Sequence, residues 1–206
     1  MIGIIDYGSG NIQAIRNIYK RLKIKTFIVK VPKDVSLATK LILPGVGAFD
    51  EAIGKLEQSG LRNALDKAVL QDKIPVMGIC VGMQIMADSS EEGALQGLGW
   101  ISGSVKCFDI NQISIVPKLP HMGWNEISVF KHSIFDGIDK KIGFYFLHSY
   151  FFKAESKKNV IATSCYQHKF DCAINSENIF GFQFHPEKSH SNGIRLFKNF
   201  SDIVKC

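Results

Sequence analysis

The 206 residues are 46% hydrophobic and 21% charged, with a formal net charge of +6. That composition suits one well-buried globular unit, and the chain is read as a single domain over 1–206. Scattered lysines without interleaved aromatics argue against a nucleic-acid groove. No uninterrupted run of about 18 apolar residues is present, so no membrane span is expected.

The opening MIGIIDYGSG lacks the basic start and long apolar stretch of a signal peptide. The five cysteines, Cys80, Cys107, Cys165, Cys172 and Cys206, are widely separated and form no CxxC pair. This argues against a disulfide framework and a thiolate zinc site, and it fits a reducing cytoplasm.

In chain order, Ile2–Asp6 reads as a buried strand that ends in the turn YGSG. Asn11 is placed to cap a helix carrying Ile12, Ile15, Ile18, Tyr19 and Leu22 at helical spacing. Strands are expected at Lys25–Val29 and Lys40–Pro44, helices at Phe49–Gln58 and Leu61–Gln71, and a fourth strand at Ile74–Cys80, with a helix after it. This alternation predicts a mostly parallel central sheet flanked by helices. Beyond about residue 98 the pattern changes to consecutive short strands. They are expected at Ile113–Val116, Asn125–Val129, Gly143–Leu147, Val160–Ser164, Cys172–Asn175 and Ile179–Phe184, as antiparallel additions to the sheet. Asn192–Val204 reads as a closing helix. The fold class is therefore α/β.

Two glycine clusters are not nucleotide motifs. After Gly8–Gly10 the third glycine of GxGxxG is replaced by Gln13, and after Gly45–Gly47 by Asp50.

The stretch GICVG, Gly78–Gly82, has the form of a nucleophile elbow with Cys80 in the nucleophile's place. A strand that turns sharply into a helix strains the central residue and brings the residues two before and two after it together, so glycine is needed there. The turn also sets the sulfur at a helix N-terminus, where thiolate is favoured. A buried packing cysteine is the plain alternative. A cysteine nucleophile needs a base and an orienting group. In FGFQFHPEKSH, His185 and Glu187 flank Pro186; on an extended segment they project to one side. LPGVGAF, Leu43–Phe49, is another strand end whose peptide N–H groups could serve an oxyanion, together with the Val81 N–H. All three patterns fall at predicted strand ends, where open α/β sheets build their sites.

Together, PGVGAF, GICVGMQ and FQFHPEKS resemble the class I (triad) glutamine amidotransferases. DYGSGN, LPHMGWN and FYFLHSY narrow the likeness to the glutaminase subunits of imidazole glycerol phosphate synthases, over about residues 2–204. The resemblance implies that Cys80 attacks the glutamine carboxamide, His185 moves the proton and Glu187 orients His185. It places oxyanion donors at Gly45, Val46, Gly47 and Val81. Gln84 and the segment His148, Ser149, Tyr150 match positions that hold glutamine, and Trp124, Asn125 and Tyr145 match positions near a subunit interface. It implies no metal and no organic cofactor. It also implies a heterodimer in which a cyclase/synthase subunit of (β/α)₈ barrel type receives ammonia through a channel and makes imidazole glycerol phosphate and an aminoimidazole carboxamide nucleotide.

Other readings are an ammonia supplier for an acetamidino surface sugar, to which the tail with His190 and Asn192–Gly193 has some likeness, a cysteine hydrolase or peptidase on the same scaffold, and a catalytically silent module. GMQ and HSY speak against a peptidase, and a complete Cys–His–Glu set speaks against a silent module. A metal trio of His185, Glu187 and His190 competes poorly with the dyad.

Overall fold

The computed structural model describes residues 1–109, 111 and 119–204. The predicted strand Ile113–Val116 lies outside the described residues.

The first half follows the expected alternation. Strand β1 (Ile2–Ile5) leads to helix α1 (Ile12–Arg21), where the Asn11 side chain accepts the Ala14 N–H at 3.2 Å. Then come β2 (Thr26–Val29), a single-turn helix α2 (Pro32–Val35), β3 (Lys40–Gly45) and α3 (Phe49–Gln58). The helix expected over 61–71 divides into α4 (Arg62–Asp66) and a π-turn over Lys67–Gln71. Strand β4 (Val76–Cys80) enters α5 (Val81–Gln84), which is one turn long.

The second half is richer in strands than its sequence pattern suggests. It contains β5 (Ser89–Ser90), β6 (Gly103–Cys107), β7 (His121–Asn125), β8 (Ser128–Val129), β9 (Phe144–His148), β10 (Tyr150–Ala154), β11 (Val160–Tyr166), β12 (His168–Ser176) and β13 (Ile179–Phe182). Helix α6 (His190–Asp202) closes the fold.

The main sheet runs in the order β2-β1-β3-β4-β13-β12-β11-β8. Its first five strands are parallel, and β12, β11 and β8 extend it in antiparallel fashion. The expectation of antiparallel additions therefore holds for only part of the half. Strands β10-β6-β5 form a separate three-stranded sheet, and β7 pairs with β9 in a two-stranded ribbon. The expected strand Asn125–Val129 is split between that ribbon and the sheet edge. Local alternation reveals a strand but not its partner, because pairing is decided by tertiary contacts.

The parallel strands β1, β4 and β13 are buried along their whole length, and β3 is buried after Lys40, as a sheet covered on both faces requires; the edge strand β2 is mostly half-buried. In β9, by contrast, Phe144, Phe146 and His148 are buried and alternate with half-buried Tyr145 and Leu147. Phe144 stacks on Phe184 with ring centroids 3.9 Å apart, which ties the ribbon to the chain leaving β13. Among the described residues no helix is long and apolar enough to cross a membrane.

Candidate active site

Strands β3 and β4 are neighbours, and Gly45 lies opposite Cys80 at their carboxyl ends. Cys80 itself has φ 54° and ψ −114°, a strained conformation for a residue with a side chain. Gly78 and Gly82 make the turn possible. A Cβ on Gly78 would stand 2.6 Å from the Gly82 carbonyl oxygen, and one on Gly82 would stand 2.0 Å from the Leu43 carbonyl oxygen. The elbow is thus packed backbone to backbone against itself and against β3. The helix expected after Cys80, α5, is a single turn, with Cys80 at its N-cap.

His185 and Glu187 follow β13, the other neighbour of β4. Their proximity does not come from an extended segment as expected. Pro186–Lys188 form a 3₁₀ turn, and across it His185 Nδ1 lies 2.8 Å from Glu187 Oε1, both side chains being almost fully buried. The turn is moored to the ribbon: the His185 N–H donates to the Tyr145 carbonyl at 2.8 Å, and Ser189 Oγ donates to the His185 carbonyl at 2.6 Å. Burial alone would lower the His185 pKa. The charge and hydrogen bond of Cys80, then the hydrogen bond and charge of Glu187, outweigh it and raise the pKa to about 10. At neutral pH the ring is therefore an imidazolium facing the sulfur.

Cys80 and His185 line a cavity of about 280 Å³. Val46, Gly47, Val81, Gln84, Leu147, His148, Ser149 and Tyr150 also line it. The loop after β3 is held from β1: the Val46 N–H donates to Ser9 Oγ at 2.9 Å, and the Ser9 hydroxyl donates to the Val46 carbonyl at 2.8 Å. Tyr7, its phenol pKa pushed up by burial, donates to the Pro44 carbonyl at 2.8 Å. Two of the four backbone groups named from sequence thus do not point their N–H groups freely at the cavity. Gly45 is buried beneath the elbow, and the Val46 N–H is turned towards Ser9.

His148 does not face the pocket as a free base. It pairs across the ribbon with His121, Nε2 to Nδ1 at 3.0 Å, and burial lowers the pKa of both, His148 to about 3 and His121 to about 4. The tautomers follow from the ends of the chain. His148 Nδ1 must donate to the Tyr150 carbonyl at 2.8 Å, so His148 Nε2 accepts from His121 Nδ1, and His121 Nε2 accepts from the Asn125 amide at 3.2 Å.

Of the residues read as interface positions, Trp124 is exposed and stacks on His190 with rings 5° from parallel. Tyr145 lies opposite it on the ribbon, with Lys188 Nζ 5.6 Å from its ring centre. Asn125 is held inward by the Cys165 carbonyl and His121. The stack on Trp124 turns the His190 ring to a partner other than the His185–Glu187 pair. No cluster able to hold a metal occurs among the described residues.

Several lining or supporting residues escape a reading of the sequence. Glu92 and Lys188 line the cavity. Glu92 comes from a segment with no motif, and its carboxylate is held by the Phe49 N–H at the start of α3 at 2.9 Å. Ser9 and Tyr7 belong to DYGSGN, and their position at the end of a parallel strand was the available signal. Gln183 lies two residues before His185, so period-2 alternation could have placed it on the same side.

A cysteine at a strained elbow, beside an imidazolium held by a buried carboxylate, is the arrangement that a thiol amidohydrolase of the α/β class requires. The Glutamine amidotransferase class-I family model matches residues 3–203, and the chain belongs to this family of enzymes, the class I glutamine amidotransferases. It is 48% identical to imidazole glycerol phosphate synthase subunit HisH of Leptospira interrogans, over 98% of this chain and all of the relative. It is 49% identical to the HisH subunit of Bdellovibrio bacteriovorus, again over 98% of this chain and all of the relative. Among solved structures, PurLQS from Thermotoga maritima shares the fold with a TM-score of 0.74 and 17% identity, covering 98% of this chain and 97% of that one.

Proposed function

We propose that this chain is the glutaminase subunit of an imidazole glycerol phosphate synthase, working in the cytoplasm in histidine biosynthesis. The observation that carries the reading is Cys80 and His185 at one cavity, with Glu187 behind His185, in a chain that matches HisH subunits over their full length.

In this reading Cys80 attacks glutamine as the thiolate, and negative charge collects on the carboxamide oxygen. Collapse of the tetrahedral intermediate breaks the C–N bond, and His185 protonates the departing nitrogen, leaving a thioester and ammonia. The now neutral His185 takes a proton from water, which attacks the thioester and releases glutamate. Glu187 holds the ring by Nδ1 so that Nε2 does this work. Gln84, His148, Ser149 and Tyr150 shape the glutamine pocket, and the Glu92 carboxylate is suited to the substrate's ammonium group.

The oxyanion donors are the Val81 N–H and, from the loop after β3, the N–H groups of Gly47 and of Val46 once it is released. The Ser9 contact supports a gated donor: while Ser9 holds the Val46 N–H, that donor is withheld from the site. A missing donor costs about 2.7–4 kcal/mol, or 10²–10³ in rate. Release of this peptide on partner binding would confine ammonia production to the assembled enzyme.

The partner is a cyclase subunit of (β/α)₈ barrel type, docked on the face that carries Trp124 and Tyr145, and it receives the ammonia. The test is reconstitution with a cyclase subunit of the same pathway. Glutamate and imidazole glycerol phosphate should form in equal amounts. Glutamine hydrolysis with no transfer to that acceptor would reject the pathway assignment.

A further inference from the structure

The mechanism above uses His185 to stabilise the thiolate, but another buried side chain also meets the sulfur. Gln183 is fully buried, and its Nε2 lies 3.8 Å from Cys80 Sγ, within hydrogen-bond range for sulfur. An amide can present either its oxygen or its nitrogen, so the orientation has to be decided by its neighbours.

The neighbours decide it. The Tyr150 carbonyl can only accept, and it accepts from Gln84 Nε2 at 2.9 Å and from His148 Nδ1 at 2.8 Å. Gln84 therefore turns its nitrogen inward, and the same Nε2 donates to Gln183 Oε1 at 3.1 Å. With its oxygen so occupied, Gln183 has only N–H to offer the sulfur. The main chain fixes Gln183 as well, its N–H donating to the Cys172 carbonyl at 2.9 Å.

The sulfur needs this donor. The Leu147 carbonyl oxygen lies 3.8 Å from Sγ, where it can accept from a thiol but repels a thiolate. The groups that act on the sulfur are that carbonyl, the Gln183 amide, the His185 imidazolium with Glu187 behind it, and the buried phenol of Tyr7. The two donors, Gln183 and His185, are two residues apart in the chain leaving β13.

We propose that Gln183 is a further catalytic residue: its N–H holds the Cys80 thiolate, and Gln84, anchored on the Tyr150 carbonyl, locks it in the donating orientation. This rests on the reading of Cys80 as the nucleophile, but it needs no particular ammonia acceptor. Gln84 thereby acts through Gln183 as a positioning residue as well as lining the pocket.

The test is the rate at which iodoacetamide alkylates Cys80 in the full chain, followed from pH 5 to 10 by mass spectrometry of the Cys80 peptide. Gln183→Leu removes the donor, and the midpoint of the alkylation profile should rise by about one unit. Below the midpoint the rate should fall about tenfold, in line with a hydrogen bond to a charged group. Gln183→Glu keeps the shape but places an anion beside the sulfur, so the midpoint should rise further. Gln84→Leu should shift it in the same direction but less, and the double variant Gln84→Leu with Gln183→Leu should be no worse than Gln183→Leu alone. An unchanged midpoint in a folded Gln183→Leu overturns the proposal. If that variant does not fold, an unchanged midpoint in the near-isosteric Gln183→Glu does so. The profile is read without glutamine, so a wild type that fails to hydrolyse glutamine would reject the functional reading and leave this test standing.

Discussion

His185 is the residue on which the site's charge balance turns. Its pKa is raised to about 10 by the sulfur's charge and hydrogen bond and by Glu187, against a burial that would lower it. A raised folded-state value stabilises the fold fully below the unfolded value of about 6.5, and this contribution is lost as pH rises through about 10. The ¹³Cε1 resonance of His185 should therefore remain that of an imidazolium through neutral pH and change near pH 10. In Cys80→Ala the largest raising influence is gone, so the transition should move down; a transition unmoved in that variant would separate the ring from the sulfur. Cys80→Ala or Cys80→Ser should abolish glutamine hydrolysis with the fold retained. A glutamine-like electrophile should label Cys80 and spare Cys172, which is buried away from the cavity. His185→Asn should cost orders of magnitude in rate, and Glu187→Gln less, since it carries no transferred proton.

At the scale of elements, the elbow and the loop after β3 depend on close backbone contact. The single methyl added by Gly82→Ala would meet the Leu43 carbonyl oxygen at 2.0 Å, so α5 and β3 must separate. Thermal melting should show a loss of about 1–3 kcal/mol or more, with activity lost through the displaced Cys80. The neighbouring loop yields a prediction of opposite sign. Ser9→Ala deletes the hydroxyl that holds both the N–H and the carbonyl of Val46. Without the cyclase subunit this variant should hydrolyse glutamine faster than wild type, by about tenfold or more within the range of one oxyanion donor. Val46→Pro removes the N–H altogether and should leave hydrolysis low even in the assembled, liganded complex. Full stimulation of Val46→Pro would move the donor role to Gly47.

For the whole molecule, the main sheet and the β7–β9 ribbon divide the work. The parallel part of the main sheet carries Cys80 and, at the end of the neighbouring strand, the turn with His185, while the β7–β9 ribbon carries the exposed Trp124 and leads through His148 to the pocket wall. Steady-state assays should find the isolated chain a poor glutaminase. With the cyclase subunit and its nucleotide ligand, kcat/KM for glutamine should rise by 10²–10³, the value of one recovered oxyanion donor. Equal rates with and without the partner would remove the basis for gating. Trp124→Ala should weaken association by more than about 2 kcal/mol if this side chain anchors the interface, as titration of one subunit with the other would measure.

The elbow at Cys80 and the nearness of His185 to Glu187 were legible in the chain because each sits in a short segment. Gly78 and Gly82 announce a turn that only glycine allows, and His185 and Glu187 are two residues apart, although the 3₁₀ turn that joins them depends on its mooring to the ribbon. The parallel half of the fold was legible for the same reason, since buried runs alternate there with amphipathic helices. What only the tertiary structure decided are relations between segments far apart in sequence: Ser9 against Val46, His121 against His148, Glu92 at the start of α3, and Gln183 against Cys80 and Gln84. Each is a polar contact whose partner lies dozens of residues away. No local pattern encodes such a pairing, because the hydrogen bond exists only after strands have found their neighbours and water has been excluded from between them.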